Sequence, residues 1–208
     1  MRAALLWRWG EPVAPLRALL ARGGLVAFPT ESSYALGAHP GNPAGVEAIY
    51  RLKRRERGKP LPVVVADAGQ LAGLGIDPDL PILLALRAFW PAPLSVALPG
   101  AGALPAAAGH DSLAVRIPEH AELRRLLAEL GHGLTATSAN ASGGEPLLAA
   151  GEVARWLAGE EARVVDGGQL PGGPPSTLVA PAAAGGGLVV LRHGRFPAER
   201  LGALLARE

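Results

Sequence analysis

The strongest concentration of reactive side chains in this sequence is a basic segment, residues 51–59, which reads RLKRRERGK. It contains six basic residues and one acid and so carries +5, whereas the whole chain carries only +2. Several cations that converge at a helix end and in the following loop suit a polyphosphate. The alternative interpretation is a solvated helix end, at which the bases offset the helix dipole.

Lys53 occupies an unusual place in this segment. The helix before it has an apolar stripe of Val46, Ile49 and Tyr50, and the next position on the same stripe is Lys53. Burial of an unpaired ammonium is costly. We therefore expect Lys53 to have an anionic partner, supplied by the protein or by a ligand, and we expect Lys53→Ala to cripple turnover without unfolding the chain.

A second candidate site is the run SANASGGEP, residues 138–146, which directly follows an apolar strand. Its small residues allow backbone N–H groups to approach an anion, and Ser138 and Asn140 add side-chain donors. An ordinary turn between a strand and a helix is the alternative interpretation.

A third candidate is the polar set after the first predicted strand, PTESSYALG at residues 29–37, which contains Thr30 and Tyr34. The ends of strands are where α/β proteins bind ligands. A helix cap or a turn would use the same residue types.

Arg116 lies inside a predicted strand, on the same face as Ser112. An arginine held on a strand can bind a carboxylate through two parallel hydrogen bonds. An intramolecular salt bridge is the alternative. Ser176, Thr177 and Arg192 are predicted at the ends of later strands.

Composition and missing motifs exclude several kinds of site. The chain has no cysteine, which excludes disulfides, thiolate zinc sites, iron–sulfur clusters and cysteine nucleophiles. No two of the five histidines have the i, i+4 spacing of a helical metal pair, and we predict no metal site made by the protein. The Walker A, GxSxG and GxGxxG motifs do not occur.

The sequence also predicts where the protein resides. Its apolar runs are interrupted well before the roughly 18 residues that a membrane helix requires. The first residues have no small-residue cleavage site before Arg8, so we expect no signal peptide. These features predict a cytoplasmic protein without a membrane partner.

Hydrophobic periodicity predicts helices and strands that interleave along the chain. The predicted helices are 13–22, 42–55, 77–90, 119–131, 152–158 and 196–207. The predicted strands are 25–29, 61–67, 94–99, 112–118, 134–140, 163–166, 176–180 and 188–192. Several strands follow one another directly, which favours an α/β fold with a mixed sheet and flanking helices. Gly/Pro-rich loops, among them 181–187, are too short to divide domains, so we expect one domain over 1–208.

Taken in their order along the chain, these motifs resemble the YrdC/TsaC family, the threonylcarbamoyl-AMP synthases. The resemblance covers residues 12–195 and includes WPAPLSVALP at 90–99, which is similar to the family's W-P-G-P-L-T segment. Some members carry a further C-terminal domain, and this chain resembles the short form.

The resemblance implies a twisted, mixed α/β fold around a concave cavity. It implies a nucleotidyltransferase that joins L-threonine, bicarbonate or CO2, and ATP into threonylcarbamoyl-AMP and releases pyrophosphate. The product would serve N6-threonylcarbamoylation of adenosine 37 in tRNA, with the transfer made by separate downstream proteins. tRNA is a further candidate partner whose direct binding is left open, and Mg2+ is expected to arrive with the ATP phosphates.

The resemblance also implies roles for individual residues. The family's K-x-R and S-x-N motifs match four expected catalytic residues, Lys53, Arg55, Ser138 and Asn140. The expected nucleotide-binding residues are Lys53, Arg55, Arg57, Lys59, Ser112, Ser138, Asn140 and Arg192. The expected threonine-binding residues are Thr30, Tyr34, Arg116 and Ser176, with Arg116 on the threonine carboxylate.

Three positions depart from the family's pattern. Ala35 replaces the first glycine of Tyr-Gly-Leu-Gly, Ser95 replaces a common threonine, and Thr137 replaces a frequent proline. If the glycine has a positive φ, Ala35 would strain the turn. Two alternatives remain: a paralogue with another carbamoyl-adenylate chemistry, which only the Ala35 departure supports, and an RNA-binding module, which the basic segment supports. Aromatic residues make up only 4% of the chain, which is few for base stacking.

Overall fold

The computed structural model describes residues 3–182 and 187–206. Its helices are α1 (Ala14–Ala21), α2 (Pro43–Lys53), α3 (Pro81–Leu86), α4 (Ala121–Leu130) and α5 (Ala150–Trp156). Its strands are β1 (Leu5–Trp7), β2 (Leu25–Pro29), β3 (Tyr34–Gly37), β4 (Val63–Val64), β5 (Leu94–Pro99), β6 (Ser112–Arg116), β7 (Leu134–Thr135), β8 (Thr137–Ser138), β9 (Ala162–Val165), β10 (Thr177–Pro181) and β11 (Leu188–Arg192). The 3-10 segments of the described residues are Ala68–Leu74, Pro105–Ala107 and Ala198–Leu204.

The described strands form two mixed sheets. The first has the order β1-β9-β2-β3-β8 and the second has the order β11-β10-β5-β6-β4-β7. In each sheet parallel pairs, such as β2 with β9 and β5 with β10, stand beside antiparallel ones. The predicted fold class, a mixed sheet structure with flanking helices, is therefore confirmed. The single-domain organisation over 1–208 stays a prediction.

Helices cover both faces of the first sheet, which explains why every residue of β2 is buried. Leu25 and Ala27 pack toward α2 and α5, whereas Val26 and Phe28 pack toward α1 and α4. The predicted apolar stripe of α4 is confirmed on this second face; its members are Leu123, Leu126, Leu127 and Leu130. Each such leucine stabilises the fold by roughly 1.5–3 kcal/mol when fully buried.

The segment predicted as one strand over 134–140 is two short strands that belong to different sheets. β7 pairs with β4 in the second sheet, and β8 pairs with β3 in the first. Between them, the Ala136 N–H donates to the carbonyl oxygen of Pro62 at 2.7 Å, directly beside the β4–β7 pairing. The chain thus crosses from one sheet to the other at Ala136, and Ser138 emerges between the two sheets.

Several predicted elements are shorter than the periodicity suggested. The strand predicted over 61–67 pairs only over Val63–Val64, and the helix predicted over 77–90 forms only at Pro81–Leu86. The helix predicted over 196–207 is a 3-10 segment, Ala198–Leu204, broken where Gly202 has φ 50° and ψ −119°. Residue 207 and most of the loop predicted over 181–187 lie outside the described residues.

Two strands were missed by the sequence reasoning, β1 and β3. β1 contributes three residues at a sheet edge, too few for a clear alternation. β3 lies inside the polar motif at 29–37, whose residue types are typical of a turn. Among the described residues, no helix combines the length and apolar character needed to cross a membrane.

Helix α2 ends in a backbone conformation that an L-residue adopts at a cost. Arg54 has φ 52° and ψ 39°, and the Arg55 N–H donates to the carbonyl oxygen of Tyr50 at 3.0 Å. Glycine is the usual residue at this position of a helix terminus. This turn stops α2 at Lys53, two residues before the predicted end, and directs the chain at Arg55 toward the space between the sheets.

We expect Arg54→Gly to raise the free energy of unfolding by up to about 1 kcal/mol, because glycine adopts a positive φ without strain. Arg54→Val, with a branched side chain in the same conformation, should lower it by about 1–2 kcal/mol. Urea unfolding of the two variants measures both changes. Equal stabilities would mean that the strain at residue 54 is relaxed elsewhere.

Candidate active site

A cavity of about 490 Å³ lies between the two sheets. It is walled by the β2–β3 turn, β5, β6, β8 and the segment that leads into β10. Its polar lining consists of Thr30, Glu31, Ser32, Ser33, Tyr34, Arg55, Ser95, Ser112, Arg116, Thr137, Ser138, Ser176, Arg192 and Arg195.

The charged side chains that line this cavity are four arginines and one carboxylate, Glu31. The arginines are Arg55, Arg116, Arg192 and Arg195. Guanidinium groups bind carboxylates and phosphates in a planar, two-pronged geometry. The cavity therefore suits a ligand with several anionic groups.

A second depression adjoins the cavity and shares part of its wall. Arg55, Thr137 and Ser138 line both spaces, whereas Lys53 and Asn140 line only the depression. Lys59, Ser142 and Gly143 complete its wall together with Arg54 and Glu56. A ligand that spans both spaces would meet the end of α2 and the loop after β8.

Lys53 joins these two elements. Its side chain is 1% exposed, and its ammonium donates hydrogen bonds to Ser138 O, to Asn140 O at 2.7 Å and to Asn140 Oδ1 at 2.8 Å. The Ser142 N–H in turn donates to Lys53 O at 2.9 Å. The expected partner of Lys53 is therefore present, but it consists of neutral oxygens from the S-x-N loop rather than an anion. All three ammonium protons are used there.

The buried position also changes the proton affinity of this amine. Burial, and then the nearby charge of Arg55, lower the pKa of Lys53 from 10.5 to about 8. The ammonium form still predominates at pH 7, so the three hydrogen bonds to the loop are retained at neutral pH.

This shift predicts a pH dependence of stability. Because the pKa of Lys53 is lower in the folded chain than in the unfolded one, the unfolded chain binds more protons between about pH 8 and pH 10.5. The contribution of Lys53 to the free energy of unfolding should therefore rise by about 2–3 kcal/mol from pH 7 to pH 10. The measurement is the difference between the parent chain and Lys53→Met at each pH, which cancels the other titrating groups. A difference independent of pH would contradict the lowered pKa.

Ser138 and Asn140 complete the loop. Ser138 Oγ donates to Asn140 Oδ1 at 2.7 Å, and the Asn140 amide donates to the carbonyl oxygen of Gly144. Asn140 is 8% exposed, so these hydrogen bonds of its side chain are buried and stabilise the loop. Ser138 lines the cavity and lies at the boundary with the depression.

Arg55 stands at the same boundary with an incomplete set of partners. Its Nη2 donates to the carbonyl oxygen of Pro60 at 3.2 Å, while its Nε is buried and has no hydrogen-bond partner among the described residues. An unsatisfied buried donor of a charged group is costly. The guanidinium nevertheless lines both the cavity and the depression, where a ligand oxygen could contact it.

Arg116 is the last residue of β6 and forms an ion pair with Glu31 inside the cavity. The distance from Arg116 Nη1 to Glu31 Oε2 is 2.6 Å, and the two side chains are 11% and 13% exposed. Burial by itself raises the pKa of Glu31, but the charge of Arg116 and several hydrogen bonds together hold that pKa below its ordinary value. The salt-bridge alternative for Arg116 is therefore present in the structure, and it leaves the rest of the guanidinium directed at the cavity.

Two serines connect β5, β10 and β11 next to Arg116. Ser95 Oγ and Ser176 Oγ are 2.8 Å apart, and Arg192 Nη2 donates to Ser176 O at 2.9 Å. Burial, and then the like charge of Arg116, lower the pKa of Arg192. Two guanidiniums thus lie close to one hydroxyl pair, which favours binding of an anion between them.

The polar motif at 29–37 is held by its own hydrogen bonds. Thr30 Oγ1 donates to Ser33 O at 2.7 Å, and the buried Tyr34 hydroxyl donates to Gly168 O at 3.1 Å. Ala35 lies in β3, paired with Phe28 and Ser138, and its φ is not positive. The strain expected from the Gly-to-Ala departure is therefore absent.

Eight of the twelve predicted site residues line the cavity, and three more line only the adjoining depression. The exception is Arg57, whose side chain is 74% exposed and forms a salt bridge with Glu47. Lys59 lines the depression, although its amine lies 2.9 Å from Glu56.

Sequence reasoning assigned no role to Glu31 or Arg195. Arg195 Nη1 donates to Glu31 O at 3.0 Å and to Gly172 O at 3.3 Å, so it fastens the β2–β3 turn to a distant loop. In the sequence, only their neighbours could have identified these two residues. Glu31 lies in the polar motif at 29–37, and Arg195 directly follows LRHG, residues 191–194.

The lining offers little to a resident metal ion. Among residues 3–182 and 187–206, no group of three or more His, Cys, Asp or Glu side chains could hold one. The carboxylate that lines the cavity, Glu31, already accepts from Arg116 and from the Glu119 N–H. A cation in this cavity would thus be held chiefly by the ligand that brings it.

Comparison with known proteins assigns the chain to a family. A model named Sua5/YciO/YrdC and described as telomere recombination matches residues 18–194. The threonylcarbamoyl-AMP synthase of Bacillus subtilis (strain 168) is 37% identical over 197 residues, which cover 93% of this chain and 56% of that protein. The threonylcarbamoyl-AMP synthase of Alkalilimnicola ehrlichii is 39% identical over 158 residues, which cover 74% and 80% of the two chains.

A solved structure shows the same fold. The P. abyssi Sua5 structure in complex with L-threonine superposes with a TM-score of 0.81 at 29% identity, over 98% of this chain and 62% of that one. The chain therefore spans somewhat more than half the length of this structure and of the B. subtilis relative.

Proposed function

The chain belongs to the Sua5/YciO/YrdC family, and from this membership we propose that it catalyses the formation of threonylcarbamoyl-AMP from L-threonine, bicarbonate or CO2, and ATP. The observation that carries the proposal is the convergence of separately predicted threonine and nucleotide residues on one arginine-rich cavity. The names of the relatives support the same reaction.

The chemistry requires positioning more than acid–base catalysis. The threonine amine adds to CO2 and loses a proton, giving a carbamate. A carbamate oxygen then attacks the α-phosphorus of ATP, the bond from that phosphorus to the bridging oxygen of the β-phosphate breaks, and pyrophosphate leaves. Four guanidiniums around the cavity can neutralise the charge that this step redistributes.

Threonine occupies the part of the cavity near Thr30, Tyr34, Arg116 and Ser176, with its carboxylate on Arg116. The threonine complex of P. abyssi Sua5 supports an amino acid in this fold. The Ser95–Ser176 hydroxyl pair lies beside Arg192, next to the proposed carboxylate position.

ATP extends from the cavity into the depression. Arg55 and Ser138 meet the phosphates at the boundary, while Lys53 and Asn140 hold the loop that carries Ser138. Ser112 and Arg192 contact the nucleotide, and Lys59 lies along the depression. Arg57 is the weakest member of the proposed set, because it points away into a surface salt bridge. Mg2+ enters with ATP, bound to its phosphates.

The product would be used by separate proteins to modify adenosine 37 of tRNA, which agrees with a cytoplasmic location. Direct tRNA binding is a weaker part of the proposal. Three bases of the 51–59 segment, Arg51, Arg57 and Lys59, are engaged in salt bridges, which reduces the charge available to a phosphate backbone. The other alternative, a paralogue, loses its sequence support because Ala35 lies in a regular strand.

The test is pyrophosphate release from ATP by the purified protein, with and without L-threonine and bicarbonate. We expect release only when both are present. Release without threonine, or none from folded protein, would contradict the proposal. Salt-sensitive RNA binding that ATP does not affect would then favour the RNA-binding module.

A further inference from the structure

Glu31 lies in a turn, yet both its side chain and its backbone carbonyl accept hydrogen bonds from other segments. Its Oε2 accepts from Arg116 Nη1, and its Oε1 accepts from the Glu119 N–H at 2.7 Å. Its own carbonyl oxygen accepts from Arg195. The residue is thus held by its side chain and by its backbone, and it faces the cavity as a carboxylate among four guanidiniums.

The ion pair occupies only one nitrogen of Arg116. Nη1 is bound by Glu31, whereas Nη2 and Nε have no partner among the described residues and are not among the buried atoms left unpaired. These two nitrogens therefore keep some accessible surface, and Arg116 lines the cavity. They form one edge of the planar group, and that edge matches the two oxygens of a single carboxylate.

Glu31 also limits which ligand groups the Arg116 guanidinium can bind. Arg192 is close enough to Arg116 that the like charge contributes to the lowered pKa of Arg192. Without a fixed counter-ion, the two guanidiniums would repel each other, and either could turn toward a phosphate instead of a carboxylate. With Glu31 in place, Nη1 of Arg116 is occupied and the Nη2–Nε edge of the guanidinium is free.

We propose that Glu31 is a positioning residue that holds Arg116 with its Nη2–Nε edge toward the cavity, so that this site selects the single carboxylate of the amino-acid substrate. The inference rests on the proposed function, because it identifies the ligand of Arg116 as the carboxylate of threonine. Glu31 does not touch the reacting atoms. It acts through Arg116, and its removal should affect threonine much more than ATP.

The experiment compares Glu31→Gln with the parent chain in pyrophosphate release and in direct threonine binding by calorimetry. We expect the KM and Kd for L-threonine to rise roughly 10- to 100-fold, while the KM for ATP and kcat at saturating threonine change less than about threefold. The matched control is Glu122→Gln, an exposed carboxylate in the first turn of α4, which should leave all four values unchanged.

A second variant and a double variant separate positioning from general loss of structure. Glu31→Asp keeps the charge but is shorter, and should raise the KM for threonine by an intermediate factor. If Glu31→Gln does not fold, this variant decides the question, since an unchanged KM would overturn the proposal. In an Arg116→Lys background, Glu31→Gln should cause no further rise in the KM for threonine, because Glu31 acts through Arg116.

The outcomes distinguish this inference from the proposed function. Equal threonine KM values in Glu31→Gln and the parent chain would overturn the positioning role and leave the synthase reaction standing. A parallel rise in the KM for ATP would also overturn it, because the effect would then be general. Failure of the parent chain to bind threonine would overturn both.

Discussion

Lys53→Ala is expected to reduce the rate of pyrophosphate release by about 100- to 1,000-fold and to lower the free energy of unfolding by about 1–3 kcal/mol. The substitution removes a buried cation that donates to three oxygens of the loop after β8. Those oxygens lose their partner. The loop that carries Ser138 keeps its backbone bond from the Ser142 N–H to the carbonyl oxygen of residue 53, but it loses the three bonds from the ammonium. The sequence alone predicted a loss of turnover in a chain that still folds, and the burial of Lys53 adds a loss of stability to that prediction.

The control for Lys53 is Arg51→Met, which removes a cation from an exposed position on the same helix. Arg51 forms a surface salt bridge with Glu160, so its loss should cost less than about 1 kcal/mol and leave turnover unchanged. Steady-state rates and urea unfolding of both variants make the comparison. Normal turnover in Lys53→Ala would show that the hydrogen bonds from the Lys53 ammonium to the loop are not needed for the reaction.

Arg116→Lys is expected to lower kcat/KM for threonine by about 1,000-fold, although it keeps the positive charge. A lysine ammonium cannot hold Glu31 and also offer two parallel donors to a carboxylate, which the planar guanidinium can do. Most of the change should appear in KM. The free energy of unfolding should also fall, because the buried Glu31 carboxylate loses its close partner.

Arg125→Lys on the exposed side of α4 is the matched control, and we expect it to retain both activity and stability. Threonine titrations of the two variants at saturating ATP measure the effect. A threonine KM close to that of the parent chain in Arg116→Lys would show that the substrate carboxylate binds elsewhere in the cavity.

Most of the residues singled out in the sequence line the cavity, but their contacts could not be predicted. Thr30, Arg116, Ser138 and Ser176 line the cavity as expected, since each stands in a short motif next to a strand. Arg57 was expected among them because its neighbours in sequence are basic, yet it pairs with Glu47. Position in a basic run does not determine where a long side chain points, because the turn at Arg54 rotates the chain away from the helical pattern.

The same limit applies to the fold. The apolar stripe of α4 and the buried run of β2 follow from periodicity, which is a property of residues close together in the chain. The division of 134–140 between two sheets does not, because a run of apolar and small residues is compatible with either sheet. Pairing with β4 and β3, which are distant in sequence, determines which part of this segment joins which sheet.

The sequence by itself thus determined the family, the mixed α/β class and the residue types available for the reaction, because helices, strands and motifs are encoded over short spans. Only the tertiary structure decided which of those residues act together. Lys53 meets Ser138, and Arg116 meets Glu31, each across 85 residues of chain. Burial makes those pairings matter, since a charge removed from water must find its partner within the protein, and folding selects that partner from the whole chain.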